Sequence, residues 1–302
     1  MCETLATNAE GAGGPPNPLR RDPTRTTTLR AKCVADMRRR FRAARSAVFD
    51  KVAVEDAFAT GPATNAREFE FLSNPDKLTE FMRWLKEQVD AEILVVDAGF
   101  EDTPWLAEYV TPAYRAGVAR GYTEVNKAAA ADNFDTYQGG RAAFLASAFG
   151  GPEVVSKVRL LYMRAFEELR GVTATMAQQL TAILADGLAA GRHGTVIARE
   201  MVRKIDGLTN TRATMIARTE IIRAHAEGQL DSFVKLGVEE LGLMAEWVYG
   251  GGACPLCVGM AESGPYTIEE ARGLIPLHPN CRCTWVPYVR TGNERKIGKL
   301  RA

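Results

Sequence analysis

Apolar residues recur at helical spacing along most of the chain, and that periodicity predicts a mainly α protein. From Leu29 onward Val34, Met37, Phe41, Val48 and Val52 share one face, with Arg38, Arg39, Arg40, Arg42 and Arg45 mostly on the others. Asn74-Pro75-Asp76 signals a second helix start, with Leu78, Phe81, Met82, Leu85 and Val89 as its stripe. Ile93 to Val96 fits either a continuation or a short strand. A third helix begins near Thr103-Pro104 and carries Trp105, Leu106, Tyr109, Tyr114 and Val118; Thr111-Pro112 is expected to kink or restart it. The Ala128–Ala131 run is intrinsically helical.

Glycine pairs at 139–140 and 150–151 punctuate the middle of the chain. Pro152 then opens a helix with Val155, Val158, Leu161, Tyr162, Phe166 and Leu169, which Gly171 is expected to end. Thr173 or Thr175 would cap the next, holding Met176, Leu180, Ile183, Leu184 and Leu188 and stopped by Gly191. A shorter helix carries Ile197, Met201 and Ile205 and stops at Gly207; a long one runs from about Asn210 to Leu236, with Gly237 past its end.

After Gly237 the period changes. Leu241 to Tyr249 and Cys283 to Val289 read as strands, Pro287 placing the second near an edge. The expected architecture is a helical N-terminal region followed by a helical C-terminal module ending in a small β-hairpin with a Cys/His knuckle. Its expected divisions are a flexible arm over 1–28, a helical region over 29–170, the module over 171–290 and a basic tail over 291–302. A lone two-stranded hairpin is marginal in water, so this segment needs a further staple.

Chemistry for a staple sits between the two strands. Cys254-Pro-Leu-Cys257 is followed by His278-Pro-Asn-Cys281-Arg-Cys283, so four of the six cysteines fall here. Zinc takes four N or S ligands at tetrahedral corners, and a C-x2-C pair supplies two. H-x2-C-x-C offers three more candidates, so one of Cys254, Cys257, His278, Cys281 and Cys283 is surplus. On a strand, Cys281 and Cys283 would face the same side, and Gly250, Gly251 and Gly252 permit a sharp reversal before the first pair. Two disulfides or reduced core thiols are the competing uses of the same residues. No signal-peptide pattern opens the sequence, so a reducing compartment is expected. The metal site reads as structural and closed, not catalytic.

Composition narrows the function classes. The 302 residues are 46% hydrophobic and 25% charged with a net charge of +1, which gives no global field for nucleic acid. Charge is nevertheless uneven, with basic excess from Arg20 to Arg45 and from Arg290 to Arg301. No apolar run approaches bilayer length, so a soluble, cytoplasmically made protein without membrane contact is expected. His193 reads as a loop residue after a helix, and His225 as a surface or half-buried helical one. Nucleophile-elbow, phosphate-loop and H-E-x-x-H patterns are missing from the sequence. Zinc-deaminase chemistry needs H-x-E upstream of its cysteines, and His193-Gly194-Thr195 fails that test. Cys2 and Cys33 are isolated. No catalytic residue is assigned, and a non-enzymatic protein is expected.

Arg212-Ala-Thr-Met-Ile-Ala-Arg-Thr-Glu220, Trp247, Cys254-x-x-Cys257 and the closing His278-Pro-Asn-Cys-Arg-Cys283 together resemble the minor head, or head-morphogenesis, proteins of tailed bacteriophages with a Mu-F-type domain. The resemblance covers about residues 170–290. It implies a virion structural protein in the phage head, assembled in the host cytoplasm and present at low copy number. The implied partners are the portal and the capsid or scaffold proteins, with nonspecific contact to packaged DNA. The implied work is procapsid assembly and DNA packaging or ejection. Some relatives carry toxin or enzyme domains after this module; none is expected beyond the second strand here. Arg218 and Glu220 lie about 200° apart on a helix, and are read as anchors to the knuckle loop or a neighbouring helix. The alternative function is a zinc-dependent nucleic-acid-binding module without enzymatic activity, touching phosphates through the Arg38–Arg45 helix or the basic tail.

Overall fold

Helical periodicity in the sequence becomes helix in the computed structural model, which describes residues 22–60, 72–95, 104–132, 137, 139–238 and 242–289. The fold is mainly α with one two-stranded antiparallel sheet. Residues cluster into two units, neither continuous in sequence. One comprises Met1–Arg30, Glu108–Leu161 and Arg218–Ala302; the other comprises Ala31–Ala107 and Tyr162–Ala217. Residues 1–21 of the expected arm, the basic tail and the sequence assignments at Val96, Thr103 and Leu241 lie outside the described residues.

In the second unit, α1 (Thr27–Phe49) runs into a π-helical turn, Asp50–Val54, and buries the expected stripe Val34, Met37, Phe41, Val48 and Val52. α2 (Asn74–Gln88) is capped by Ser73, whose hydroxyl accepts from the Asp76 N–H, and continues as a π-helical turn, Val89–Leu94. Ile93 therefore prolongs the helix and forms no strand. The buried ladder of α2 is strict i, i+4: Lys77, Phe81, Leu85, Val89 and Ile93. Met82 lies one position off it and is 56% exposed, against expectation. Lys77 joins the ladder because its Nζ donates to the Phe58 carbonyl at 2.7 Å, which satisfies the buried charge.

α3 (Ala107–Asp132) starts just before Pro112 and continues through it, without restarting. A proline so close to the N-terminus removes only one intrahelical bond. α4 is Gly140–Phe149, and α5 (Pro152–Ala189) is a single helix that crosses Gly171. Gly171 therefore does not end a helix, and Thr173 and Thr175 do not cap one: Thr173 Oγ1 donates to the Arg170 carbonyl and Thr175 Oγ1 to that of Gly171. Val155, near the start of α5, is exposed. Gly191, with φ +61°, follows the true end.

α6 (Gly194–Leu208) leads through a π-helical turn, Thr209–Ala213, into α7 (Thr214–Lys235), so Gly207 stops nothing. Threonine hydroxyls stitch this junction: Thr209 Oγ1 donates to the Ile205 carbonyl at 2.8 Å and Thr214 Oγ1 to the Thr209 carbonyl at 2.9 Å.

In the first unit, α7 is buried almost all round from Glu220 to Phe233. Its fit against α3 needs glycine: a Cβ at Gly117 would run into the His225 carbonyl, and one at Gly228 into that of Tyr114. Residues 22–26, just before α1, are ordered, which corrects the last part of the expected arm. Thr24 and Thr26 are buried, and the Asp22 carboxylate accepts from the hydroxyls of Thr24 (2.6 Å) and Thr27 (2.7 Å). Short hydroxyl side chains beside an aspartate satisfy a helix start better than solvent does.

The sheet pairs β1 (Leu243–Val248) with β2 (Thr284–Val289), matching Trp247 to Trp285 and Ala245 to Pro287. Ala245 turns its N–H and C=O away from β2, onto Tyr266 at 2.7 and 2.8 Å, so Pro287 faces no donor-requiring partner. Trp247 and Trp285 meet edge to face with centroids 5.3 Å apart. The outward backbone of Trp285 is taken by Gln229 of α7. Gln229 Nε2 donates to the Trp285 carbonyl (2.8 Å), and its Oε1 accepts from the Trp285 N–H (3.3 Å) and the Thr284 hydroxyl (2.7 Å). A side-chain amide thus stands where another strand would.

Candidate metal centre

Between the strands lie α8 (Pro255–Ser263), α9 (Ile268–Ala271) and the turn that carries the remaining ligands. Cys254 is the N-cap of α8 and Cys257 lies in its first turn, so this C-x2-C pair sits on a helix start. The reversal before it uses Gly252, with φ +72°.

The second half of the cluster explains its own sequence. The Cys281 N–H donates to the His278 carbonyl at 3.1 Å, closing a four-residue turn with Pro279 at its first corner. Asn280, at the second corner, has φ +62°. Proline followed by a residue able to take positive φ is the pattern of a type II turn. The turn folds His278 and Cys281 toward Cys257. The strand expected from Cys283 begins one residue later, at Thr284, so neither Cys281 nor Cys283 lies on β2.

His278 Nε2 lies 3.2 Å from Cys254 Sγ and 3.1 Å from Cys257 Sγ, and Cys257 Sγ is 4.0 Å from Cys281 Sγ. Two ligand triads result, Cys254–Cys257–His278 and Cys257–Cys281–Cys283, sharing Cys257. A tetrahedral zinc with bonds of about 2.3 Å to sulfur and 2.0–2.1 Å to nitrogen requires edges of roughly 3.6 Å (N···S) and 3.8 Å (S···S). These three distances are within about half an ångström of those spacings, and the two groups could hold a metal ion. His278 Nδ1 is 2.8 Å from the Pro279 carbonyl. An Nδ1–H donated there leaves the Nε2 lone pair facing the sulfurs, the second contact typical of a ligating imidazole.

Electrostatics agree with a cation. Cys257, Cys281 and Cys283 are 2, 1 and 3% exposed. A hydrogen bond shared between Cys257 and Cys281 raises the first thiol and lowers the second, so only one negative charge is easily carried. A bound cation would remove that limit and let the cysteine ligands be thiolates. All five described cysteines are free, and no disulfide forms among the described residues. Cys33 is buried in α1, where burial first and Asp36 second push its thiol up to about 12, the condition of an inert core residue.

Arg218 Nη1 donates to Asn280 Oδ1 at 3.4 Å, so α7 does reach the knuckle turn. Glu220 is buried and pairs with Arg223 at 3.2 Å. Arg282 Nη2 donates to the Gly251 carbonyl at 3.0 Å, tying the turn to the glycine reversal. His193 is an exposed loop residue after α5, as expected, and only the His225 expectation needs correction. His193 caps α6, its ring accepting from the Thr195 N–H at 3.3 Å. His225 is 2% exposed, and burial, then Arg120 and Arg30, lower it to about 3.

Sequence patterns did not reveal the charge network beneath the module. Asp231 accepts from the Tyr114 hydroxyl (2.7 Å) and Lys157 (2.6 Å), while Arg272 spans Glu227 (2.9 Å) and Asp231 (2.6 Å). The available signal was Glu227 and Asp231 at i, i+4 on a helix too apolar to be exposed. No helix among the described residues is long and apolar enough to cross a membrane. Comparison with protein-family models, curated proteins and solved structures finds no match.

Proposed function

We propose that this chain is a structural minor head protein of a tailed phage or prophage, non-enzymatic, located in the virion and acting in procapsid assembly and DNA packaging or ejection through the portal. Capsid or scaffold proteins are its other partners, and the metal of its C-terminal module is structural zinc. One observation carries the reading: Arg218 of the Ala-Arg-Thr-Glu segment bonds Asn280 of the His-Pro-Asn-Cys-Arg-Cys segment. The two sequence pieces on which the resemblance rests are thereby parts of one site. Five candidate side-chain ligands, one more than a tetrahedral ion takes, support a closed structural centre.

Co-expression with the portal protein of the same genome tests the proposal. Co-purification that survives high salt is expected, together with close to one zinc per chain; failure to associate with portal or procapsid overturns the head-protein reading. The nucleic-acid alternative draws on Arg38, Arg39 and Arg42, which are exposed on α1. It requires association with DNA that weakens steeply with salt.

A further inference from the structure

A groove of about 670 Å³ lies in the second unit, between α5 and α6. Its cations are Arg203 and Lys204 of α6 and Arg212 of the π-helical turn that follows. All three are exposed, and among the described residues none has an ion pair or a side-chain hydrogen bond. Two carboxylates share the lining. Glu200 is committed to Arg192 at 2.8 Å, which leaves Asp186 of α5 against three positive charges. Arg199, exposed and equally unpaired, stands one turn before Arg203 on the same face of α6, so the positive row extends past the groove.

Two further features of the groove are not explained by the fold. Gly207 stands one turn after Arg203, inside a continuous helix and without positive φ. A Cβ there would meet nothing within 4 Å, so neither backbone nor packing requires glycine, which weakens a helix relative to alanine. The missing side chain leaves the backbone of α6 open on the groove, where a ligand can come close. On the α5 wall, Gln179 Oε1 is buried without a hydrogen-bond partner. A buried amide oxygen needs a donor, and an ionised phosphate or carboxylate has none to give. Negative charge alone therefore does not complete the site. A chain of phosphates that also carries a donor does: an unpaired base such as thymine presents its ring N–H, which duplex pairing would consume.

We propose that the α5–α6 groove binds a single-stranded nucleic acid, with Arg203, Lys204 and Arg212 on its phosphates, Gly207 giving the strand room and Gln179 accepting from an unpaired base. Guanidinium groups without carboxylate partners keep their planar forks available for phosphate oxygens. The site uses none of the α1 arginines and none of the metal ligands. It is also independent of portal association: either can fail while the other holds.

The test uses the full, metal-loaded chain and three labelled probes, followed by anisotropy over about 50–200 mM salt. They are an oligothymidylate of about a dozen nucleotides, a duplex of the same length and a polyglutamate peptide. Arg203→Gln and Gly207→Leu are compared with the parent and with Arg38→Gln, an exposed α1 residue that carries the same charge. Oligothymidylate binding should weaken about tenfold in Arg203→Gln, with the log–log salt slope reduced by about 0.7, the value for one phosphate contact on a single strand. Gly207→Leu should weaken it by a similar factor while melting no lower than the parent, since leucine favours the helix and meets no neighbour. Should Gly207→Leu melt lower, Arg203→Gln, whose side chain has no partner to lose, keeps the test decisive. Parent-like oligothymidylate binding by Arg203→Gln, or by a stably folded Gly207→Leu, overturns the proposal. So does an equal loss in Arg38→Gln, which would mean diffuse charge, or tighter binding of the duplex or the peptide, or a parent that binds no probe.

Discussion

Cys257→Ser is the most informative perturbation because Cys257 alone belongs to both ligand triads. Structural zinc contributes about 10–16 kcal/mol in small modules at neutral pH, and one lost ligand removes a substantial part of it. Other contacts remain to hold the sheet: three hydrogen bonds from Gln229, at about 1 kcal/mol each, and the buried Trp247–Trp285 pair. Against them stands the connection between Val248 and Thr284, a loop of about 35 residues whose closure costs about 3 kcal/mol beyond a constant. An ion bound to both ends divides that loop, so its loss lowers the local opening energy of residues 249–283 by at least about 3 kcal/mol. At 1.4 kcal/mol per decade, protease cleavage there should accelerate by about a hundredfold or more. Limited proteolysis with mass mapping, alongside elemental analysis, reads both quantities. The helices before Gly207 should keep the parent's resistance, and chelation of the parent should reproduce the variant's pattern. A variant cleaved like the parent, or a parent that purifies without metal and resists equally, would refute the reasoning.

Three other perturbations test the frame around the centre. Gly117→Ala should destabilise the protein by about 3 kcal/mol or more in denaturant titration, since its Cβ meets a backbone carbonyl that cannot move aside; a change below about 1 kcal/mol contradicts the α3–α7 fit. Gln229→Leu should cost about 3 kcal/mol and speed amide exchange at Trp285, which loses both its backbone partners; unchanged exchange there would rule out the strand-like role of the amide. His225 is neutral in the fold, with its pKa lowered to about 3, whereas the unfolded chain binds that proton near 6.5. Its contribution is therefore fully present above 6.5 and is lost as pH falls from there toward 3, at up to about 1.4 kcal/mol per pH unit. Thermal denaturation at several pH values should show this dependence in the parent and a shallower one in His225→Gln; equal slopes would place the acid sensitivity elsewhere.

Helix positions were largely legible because burial on one face forces a period, as in the ladder from Lys77 to Ile93. Helix ends were less so. Gly171 and Gly207 carry the expected stop residue, yet neither takes positive φ among the described residues, and neighbouring threonine hydroxyls bond back onto the helix instead. Glycine permits termination without compelling it. The gathering of Cys254, Cys257, His278, Cys281 and Cys283 was legible, since C-x2-C and H-x2-C-x-C leave few other uses for so many sulfurs. Its backbone was not: Cys254 and Cys257 occupy a helix start, and Cys281 and Cys283 lie ahead of β2. His225 was misplaced because an imidazole on a helix gives no sign of depth when its neighbours in sequence are Ala224 and Ala226. Gln229 escaped notice for a related reason, since an amide's partner is a backbone that only tertiary structure brings near.

The amide of Gln229 has a consequence for how other proteins can approach. Along β2 it occupies the hydrogen-bonding groups of Trp285 that an incoming chain would need, and Tyr266 does the same for Ala245 on β1. Each rim of this small sheet is therefore blocked at one position by the molecule itself, which works against edge-to-edge pairing. A partner that lends a strand here must first displace Gln229 or Tyr266, so recognition through side chains is favoured.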